Sequence, residues 1–228
     1  MIKETEKELF NEWKTNRGYD SFLEDGVFDE ETYNNQNIKI LYVLKEANWE
    51  NGNCDLCEYL LSEVSKNYWH TWNNIVRWTA AIRGAEYPHT ISKRDKTICL
   101  KTIAAINIKK VGGDARADDE EIREFGIRDA EYINKQINLY QPDIIICCGR
   151  GNGKNADILH DYVLKNVSEW KPDINGYNYY LANLNSKKNI PVVSYYHPQM
   201  RGGHSKFKEL YDIMIQIASE LRKQGYLK

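Results

Sequence analysis

The sequence lacks the features that mark membrane-spanning, secreted and strongly basic nucleic-acid-binding proteins. It has no apolar run long enough to span a bilayer and no signal-peptide pattern. Its five cysteines are odd in number, and Cys147 and Cys148 lie inside an apolar segment, so a secreted disulfide framework is not expected. The formal net charge of -2 argues against binding nucleic acid by bulk charge, but it is compatible with a local basic groove. These absences predict a cytoplasmic protein without a membrane partner.

The hydrophobic pattern predicts an α/β fold. Four short apolar runs have the composition of buried parallel strands: 38–44, 103–108, 143–148 and 191–196. Helical patterns occupy 54–64, 68–83, 117–140 and 205–221, and a further strand over 177–184 is compatible with the sequence. The alternation predicts a three-layer α/β/α arrangement with a central, mostly parallel four-stranded sheet. We expect one domain over residues 1–228, with an N-terminal helix over 2–16 packed on the core.

Polar and aromatic residues follow the predicted strands where their carboxyl ends should meet. Those residues are Glu46, Ala47, Asn48 and Trp49 after the first strand, Asn107 in the second, and His197 after the last. In open α/β sheets, ligands bind beyond the carboxyl ends of the strands. The sequence therefore predicts that a carboxylate, an amide, an imidazole and an aromatic ring share one cleft. The plainer interpretation of the first segment is an ordinary strand exit with a solvated glutamate.

Basic residues occur in the loops that follow the same strands. They are Lys109, Lys110 and Arg116 after the second strand, Arg150 and Lys154 in the glycine-rich loop 149–154, and Arg201 after the last strand. We expect them to form a basic rim that contacts DNA despite the acidic total charge. The loop 149–154 also suggests phosphate binding by backbone amides, although it misses the P-loop spacing by one residue.

The order of four motifs resembles the uracil-DNA glycosylase superfamily, in particular its branch with a Gly-Glu-Ala-Pro-Gly motif. The corresponding segments are Lys45-Glu46-Ala47-Asn48-Trp49, Ile106-Asn107-Ile108-Lys109-Lys110, Pro142 to Gly149, and Tyr195-Tyr196-His197-Pro198. The resemblance covers roughly residues 38–221. It implies the fold of that superfamily and DNA as the partner.

The resemblance also implies roles for the residues at the strand ends. Glu46 would position the hydrolytic water and face the cationic sugar, and His197 would stabilise the departing base. Asn107 would read the hydrogen-bonding edge of a flipped base. Trp49, with Asn48 and Ala47, would shape the base site, because it resembles a tyrosine that blocks the 5-position of thymine in other branches. Two further residues, Met200 and Arg201, would enter the DNA as a wedge, unless they form an ordinary surface loop.

The cysteines depart from the iron–sulfur branch of that superfamily. Cys54 and Cys57 follow the first motif instead of preceding it, and Val111 stands where the branch has a cysteine. A pair of cysteines needs two further ligands to hold zinc or a cluster. We therefore expect no metal and no cofactor. Cys99, Cys147 and Cys148 are expected in the hydrophobic core.

The resulting hypothesis is a DNA glycosylase-like hydrolase that cleaves the N-glycosidic bond of uracil or another modified base. Two alternatives are open: a superfamily member that binds a nucleic acid or nucleotide without cleaving it, and a nucleotide-binding enzyme that uses the loop 149–154. Lys45 and Trp49 replace glycines of the first motif, so they could redirect or abolish the activity. In particular, Lys45 could neutralise Glu46 by pairing with it.

Overall fold

The computed structural model describes residues 1–50, 52–63, 70–174 and 176–228, which form a mixed α/β structure. Its helices are α1 (Ile2–Arg17), α2 (Glu30–Asn34), α3 (Leu56–Glu63), α4 (His70–Ile82), α5 (Lys93–Lys101), α6 (Asp119–Arg128), α7 (Ala130–Tyr140), α8 (Asn155–Ile158) and α9 (His204–Lys223). A π-helical turn, Leu159–Val163, extends α8. None of the helices in the described ranges is both long and apolar enough to cross a membrane.

Within the described ranges, the strands form two sheets. The strands are β1 (Leu23–Glu24), β2 (Gly26–Val27), β3 (Ile40–Leu44), β4 (Cys54–Asp55), β5 (Ala104–Asn107), β6 (Ile144–Cys148), β7 (Lys171–Ile174), β8 (Tyr177–Ala182) and β9 (Ile190–Tyr195). The main sheet has the order β2-β5-β3-β6-β9-β8-β7, and β1 pairs with β4 in a small parallel sheet. The pairs β5-β3, β3-β6 and β6-β9 are parallel.

The four predicted core strands are present and form the parallel centre of the main sheet. The predicted number of four strands was nevertheless wrong, because β2 adds antiparallel to one side and β8 and β7 add antiparallel to the other. The pattern over 177–184 did indicate β8. Strand β2 has only two residues, and it joins the sheet through backbone pairing of Gly26 with Ala105. A segment that short has no side-chain period that could reveal it.

Alternate side chains of each parallel strand enter two separate hydrophobic cores. Ile40 and Tyr42 of β3 pack with residues of α4, α5 and α9, whereas Leu41 and Val43 pack with residues of α1, α6 and α7. Because successive side chains of a strand point to opposite faces, helices cover both faces of the sheet. The predicted N-terminal helix is present as α1, and it buries Trp13 completely in the second core.

The predicted long helix over 117–140 is interrupted at Asp129. The Asp129 side chain is fully buried and accepts hydrogen bonds from Arg17 Nε at 3.0 Å and Tyr19 Oη at 2.6 Å. Helix α6 therefore ends and helix α7 begins at this residue, and the segment does not form one continuous helix. The apolar pattern continues through the break, which is why the sequence did not reveal it.

The segment 54–64, which was predicted to be entirely helical, forms strand β4 at its start and helix α3 after it. Helix α4 matches the described part of the predicted helix over 68–83, while Val64, Tyr68 and Trp69 lie outside the described residues. All four parallel strands run in one direction, so their carboxyl ends lie along one edge of the sheet. That edge positions the candidate site.

Candidate functional site

A cavity of about 670 Å³ lies at the carboxyl ends of the parallel strands. Its wall includes eight residues that the sequence predicts for the base site, its catalytic groups or its basic rim: Glu46, Ala47, Asn48, Trp49, Asn107, Arg116, His197 and Arg201. The predicted meeting of strand ends is therefore confirmed. The volume falls in the range of small-molecule sites, about 300–1,000 Å³.

Glu46 is not a solvated strand-exit residue. Its side chain is only 4% exposed, and its Oε2 lies 2.9 Å from Nζ of Lys109, which is 5% exposed. Lys109 also lies 2.8 Å from Oε1 of Glu121 at the start of α6. Burial lowers the pKa of Lys109, but hydrogen bonds to Glu121 and Glu46 more than compensate and raise it above its ordinary value. Lys109 therefore stays protonated and fixes the Glu46 carboxylate at the cavity wall.

Backbone pairing holds the segment that carries Glu46. Gly113 donates its N–H to the carbonyl of Ala47 at 3.0 Å and accepts the N–H of Trp49 at 3.3 Å. A Cβ atom at Gly113 would lie 2.0 Å from Oε2 of Glu46, which is closer than any real contact. Any larger residue at this position would therefore have to displace the carboxylate, which lies directly against the backbone.

Lys45 does not pair with Glu46, contrary to the suggestion from the sequence. Its Nζ contacts Asp119 Oδ1 at 2.5 Å, and Lys154 pairs with the other oxygen of the same carboxylate. Burial raises the pKa of Asp119, but the hydrogen bonds and charges of Lys154 and Lys45 outweigh it and lower this pKa. The cation that faces Glu46 is thus Lys109, which lies 63 residues away in the chain.

His197 lies on the cavity wall in a defined tautomer. Its Nδ1 accepts the backbone N–H of Gln199 at 3.2 Å, so in the neutral ring Nε2 carries the proton. Burial, followed by the positive charge of Lys45, lowers the pKa of His197. The ring is therefore neutral near pH 7 and offers Nε2–H as a donor.

The loop that carries His197 is anchored by a residue that the sequence did not single out. Asn74 of α4 is buried, and its Nδ2 donates to the carbonyl of Pro198 at 2.7 Å. Arg77 in turn donates to Asn74 Oδ1 at 3.1 Å. The sequence did offer a sign of this role, because a polar asparagine stands among the aromatic residues of α4. An aromatic helix face, however, usually packs in the core, so the asparagine was not singled out.

Asn107 lies on the cavity wall beside Asp25, a second residue that the sequence analysis missed. Asp25 Oδ2 accepts the backbone N–H of Asn107 at 2.7 Å and its Nδ2 at 3.1 Å. Asp25 is buried at 4% exposure and also pairs with Lys110, whose exposure is 0%. No motif marks Asp25, because it precedes the two-residue strand β2.

Trp49 is held by local contacts at the cavity wall. Its Nε1 donates to the carbonyl of Gly52 at 3.1 Å, and its ring meets Tyr59 edge to face with the centroids 4.9 Å apart. Asn48 beside it is exposed. An aromatic wall of this kind can stack on or exclude parts of a planar ligand.

The basic rim is smaller than predicted. Arg116 and Arg201 are exposed on the cavity wall, and neither has an ion-pair partner in the described ranges. By contrast, Lys109 and Lys110 are buried in ion pairs with Glu46 and Asp25. Their predicted place in an exposed basic rim is therefore wrong, because both ammonium groups are buried and paired.

Arg150 and Met200 line a second pocket of about 450 Å³ that shares Lys45 and His197 with the first. The Arg150 guanidinium lies 4.6 Å from the ring centre of Tyr177. Met200 is partly buried against the hydrophobic core. Both residues thus lie next to the predicted base site, but they do not line it.

The loop 149–154 is not arranged as a phosphate-binding loop. Gly153 donates its N–H to the side chain of Asp157 at 2.5 Å, and Lys154 is paired with Asp119. The helix that follows, α8, spans only four residues. These contacts occupy groups that a nucleotide phosphate would need, so they disfavour the nucleotide-enzyme alternative.

Four of the five cysteines are buried. Cys99, Cys147 and Cys148 are buried in the core as predicted, and Cys57 is buried as well. Burial raises the pKa of Cys99 to about 11. Over the described ranges, no three or more His, Cys, Asp or Glu side chains are placed to hold a metal ion.

The chain matches no protein-family model and no curated protein sequence. Support for a function therefore comes from the geometry of the cavity and from the motifs that line it.

Proposed function

We propose that the protein is a DNA glycosylase-like hydrolase with the three-layer architecture of the uracil-DNA glycosylase superfamily, acting on uracil or another modified base. One observation carries this proposal. Glu46, Asn107 and His197 come from three different strand ends, yet they line one cavity together with Trp49. Base excision requires a carboxylate, an amide that recognises the base edge, a hydrogen-bond donor and an aromatic wall.

Each of these groups has a chemical role in the proposed reaction. Breaking an N-glycosidic bond builds positive charge on the sugar and negative charge on the departing base. The Glu46 carboxylate would stabilise the sugar cation and position the water that adds to C1′. Nε2–H of neutral His197 would donate a hydrogen bond to the departing base, which takes up the proton that the water releases. Arg116 and Arg201 at the rim would attract the phosphate backbone.

A second candidate, binding of nucleic acid without cleavage, is favoured by the ion pair between Lys109 and Glu46. An ammonium group 2.9 Å from the carboxylate offsets the negative charge that the sugar cation needs. The same arrangement would leave base reading by Asn107 intact. The hydrolase, by contrast, requires either that the Glu46 carboxylate act while it remains paired with Lys109 or that this pair separate when DNA enters.

A panel of oligonucleotides, each with one modified base, separates the two candidates. The hydrolase should convert one or more of them to an abasic site, detected as strand cleavage after alkali. Selective binding of one modified base without base release would support the binding protein. If the protein neither releases nor selectively binds any of the modified bases, both candidates are contradicted.

A further inference from the structure

Asp25 lines the cavity beside Asn107, but the acceptor positions of its carboxylate are already used. Oδ2 accepts both the backbone N–H and Nδ2 of Asn107. Oδ1 accepts Gln136 Nε2 at 3.1 Å and pairs with Lys110 Nζ. A carboxylate offers about four lone-pair sites. Asp25 therefore has no acceptor left for a ligand, so its effect on a ligand must pass through Asn107.

These contacts determine which way the Asn107 amide points. A carboxylate paired with a lysine only accepts hydrogen bonds, so Nδ2 and not Oδ1 must face Asp25. Asn107 Oδ1 accepts no hydrogen bond from the described part of the chain, and Asn107 lines the cavity. The amide thus presents an acceptor in a fixed place, with its second Nδ2 hydrogen as the neighbouring donor.

Asp25 is itself held from behind by buried groups. Gln136 Nε2 also donates to the backbone carbonyl of Asp25 at 3.2 Å and to Tyr140 Oη at 2.7 Å. Tyr140 Oη donates to Glu6 Oε1 at 2.5 Å. Because every member of this chain of contacts is buried, the carboxylate cannot easily turn to release the amide.

We propose that Asp25 is a positioning residue that selects the base edge the cavity accepts; the inference rests on the proposed function, in which the ligand is a base flipped out of DNA. For a base held with N3 opposite Asn107 Oδ1, the imide edge of uracil supplies an N–H donor there and a carbonyl for Nδ2. Cytosine in the same pose supplies a ring-nitrogen acceptor and an amino donor. Accepting it would require Asn107 to turn over and place Oδ1 against the Asp25 carboxylate.

The test compares binding of two single-stranded oligonucleotides that differ in one nucleotide, 2′-fluoro-2′-deoxyuridine or 2′-fluoro-2′-deoxycytidine. The fluorine slows base release, so affinity is measured without cleavage. The unaltered protein should prefer the uracil probe by roughly 10–100-fold, because the wrong edge leaves buried groups unpaired. The variant D25N/K110M should bring the two affinities within about threefold, since an amide at position 25 can either donate or accept. Removing Lys110 in the same variant avoids an unpaired buried cation.

Lys135→Met is the control, because it removes a lysine at the surface, leaves the paired Asp25 carboxylate intact and should keep the full preference for the uracil probe. A ratio of two affinities from one preparation does not depend on the folded fraction, so loss of stability cannot imitate the result. If D25N/K110M keeps the full preference, Asp25 does not act through Asn107 and the inference is overturned. If the unaltered protein binds neither probe better than an abasic probe, the proposed function itself fails and the inference fails with it.

Discussion

Nζ of Lys109 lies 2.9 Å from Oε2 of Glu46, and both side chains are almost completely buried. A buried carboxylate is costly unless a charged partner and hydrogen bonds compensate for the lost water. Lys109 is that partner for Glu46, and its ammonium group holds the carboxylate in place. This pair therefore provides the carboxylate of the site and also offsets part of its negative charge. The proposed chemistry depends on this contact more than on any other.

We expect Glu46→Gln and His197→Ala each to lower base release by ~10²–10³, because each removes one preorganised group that faces developing charge. Binding of the same oligonucleotide should change little. Single-turnover release and equilibrium binding, measured on the same modified oligonucleotide, check the two parts. Full activity of Glu46→Gln would show that Glu46 is not the catalytic carboxylate.

Gly113→Ala should displace the Glu46 carboxylate, because the new Cβ would lie 2.0 Å from Oε2. We expect a loss of about 1–3 kcal/mol in the free energy of unfolding, as for other overpacked sites, together with reduced base release. Urea unfolding and single-turnover assays measure both effects.

Gly203→Ala is the matched control, since its Cβ meets no atom within 4 Å. It should leave base release nearly unchanged and, because Gly203 is the N-cap of α9, it should cost less than about 1 kcal/mol of stability. Equal behaviour of the two alanine variants would contradict the tight contact between Gly113 and Glu46.

His197 should remain neutral to a lower pH than an ordinary histidine, whose pKa is about 6.5. Its depressed pKa means that the unfolded chain binds more protons, so its contribution to stability is present above pH of about 6.5 and is lost as the pH falls through the folded pKa. Protonation of Nδ1 would also break the hydrogen bond from Gln199, so base release should fall over the same acidic range. NMR titration of the His197 ring and a pH–rate profile measure the two effects.

Lys45→Gln should move that titration towards higher pH, because it removes the positive charge that helps to lower the pKa of His197. Lys154→Gln is the matched control: Lys154 pairs with the same Asp119 carboxylate, but its charge is not among the causes of the His197 shift. Identical titration curves for the two variants would contradict the influence of Lys45.

DNA binding should weaken as salt rises, with Arg116 and Arg201 as the principal exposed cations on the cavity wall. The variant R116Q/R201Q should reduce the slope of log affinity against log salt by about 2, since each phosphate contact contributes ~0.9. Lys188→Gln changes an exposed lysine before β9, at the opposite end of the strands, and should leave the slope unchanged. An affinity that is undetectable at low salt, or flat with salt, would argue against a nucleic-acid partner.

Lys110→Met should lower the free energy of unfolding by about 3–5 kcal/mol, because it leaves the buried Asp25 carboxylate without its cation. Lys135→Met is the control, as Lys135 pairs with Glu131 at the surface and should contribute far less. The variant D25N/K110M should recover much of the loss. Urea unfolding of the three variants measures these differences, and an unchanged stability of Lys110→Met would contradict the importance of the pair.

The sequence alone determined the parallel centre of the sheet and the meeting of Glu46, Asn107 and His197 at one edge. Four apolar runs of strand length, separated by helical patterns, leave few other arrangements. Parallel strands place their carboxyl ends together, so the residues that follow them share a cavity whatever their separation in the chain.

Only the tertiary structure decided which charges face one another. Lys45 is the neighbour of Glu46 in sequence, yet Lys109 is its partner, and Lys110 pairs with Asp25 across 85 residues. The side-chain directions at the sheet edge and the path of the loops determine such pairings. No local pattern records either one, so the sequence placed Lys110 on the surface and left out Asp25, the residue that orients Asn107.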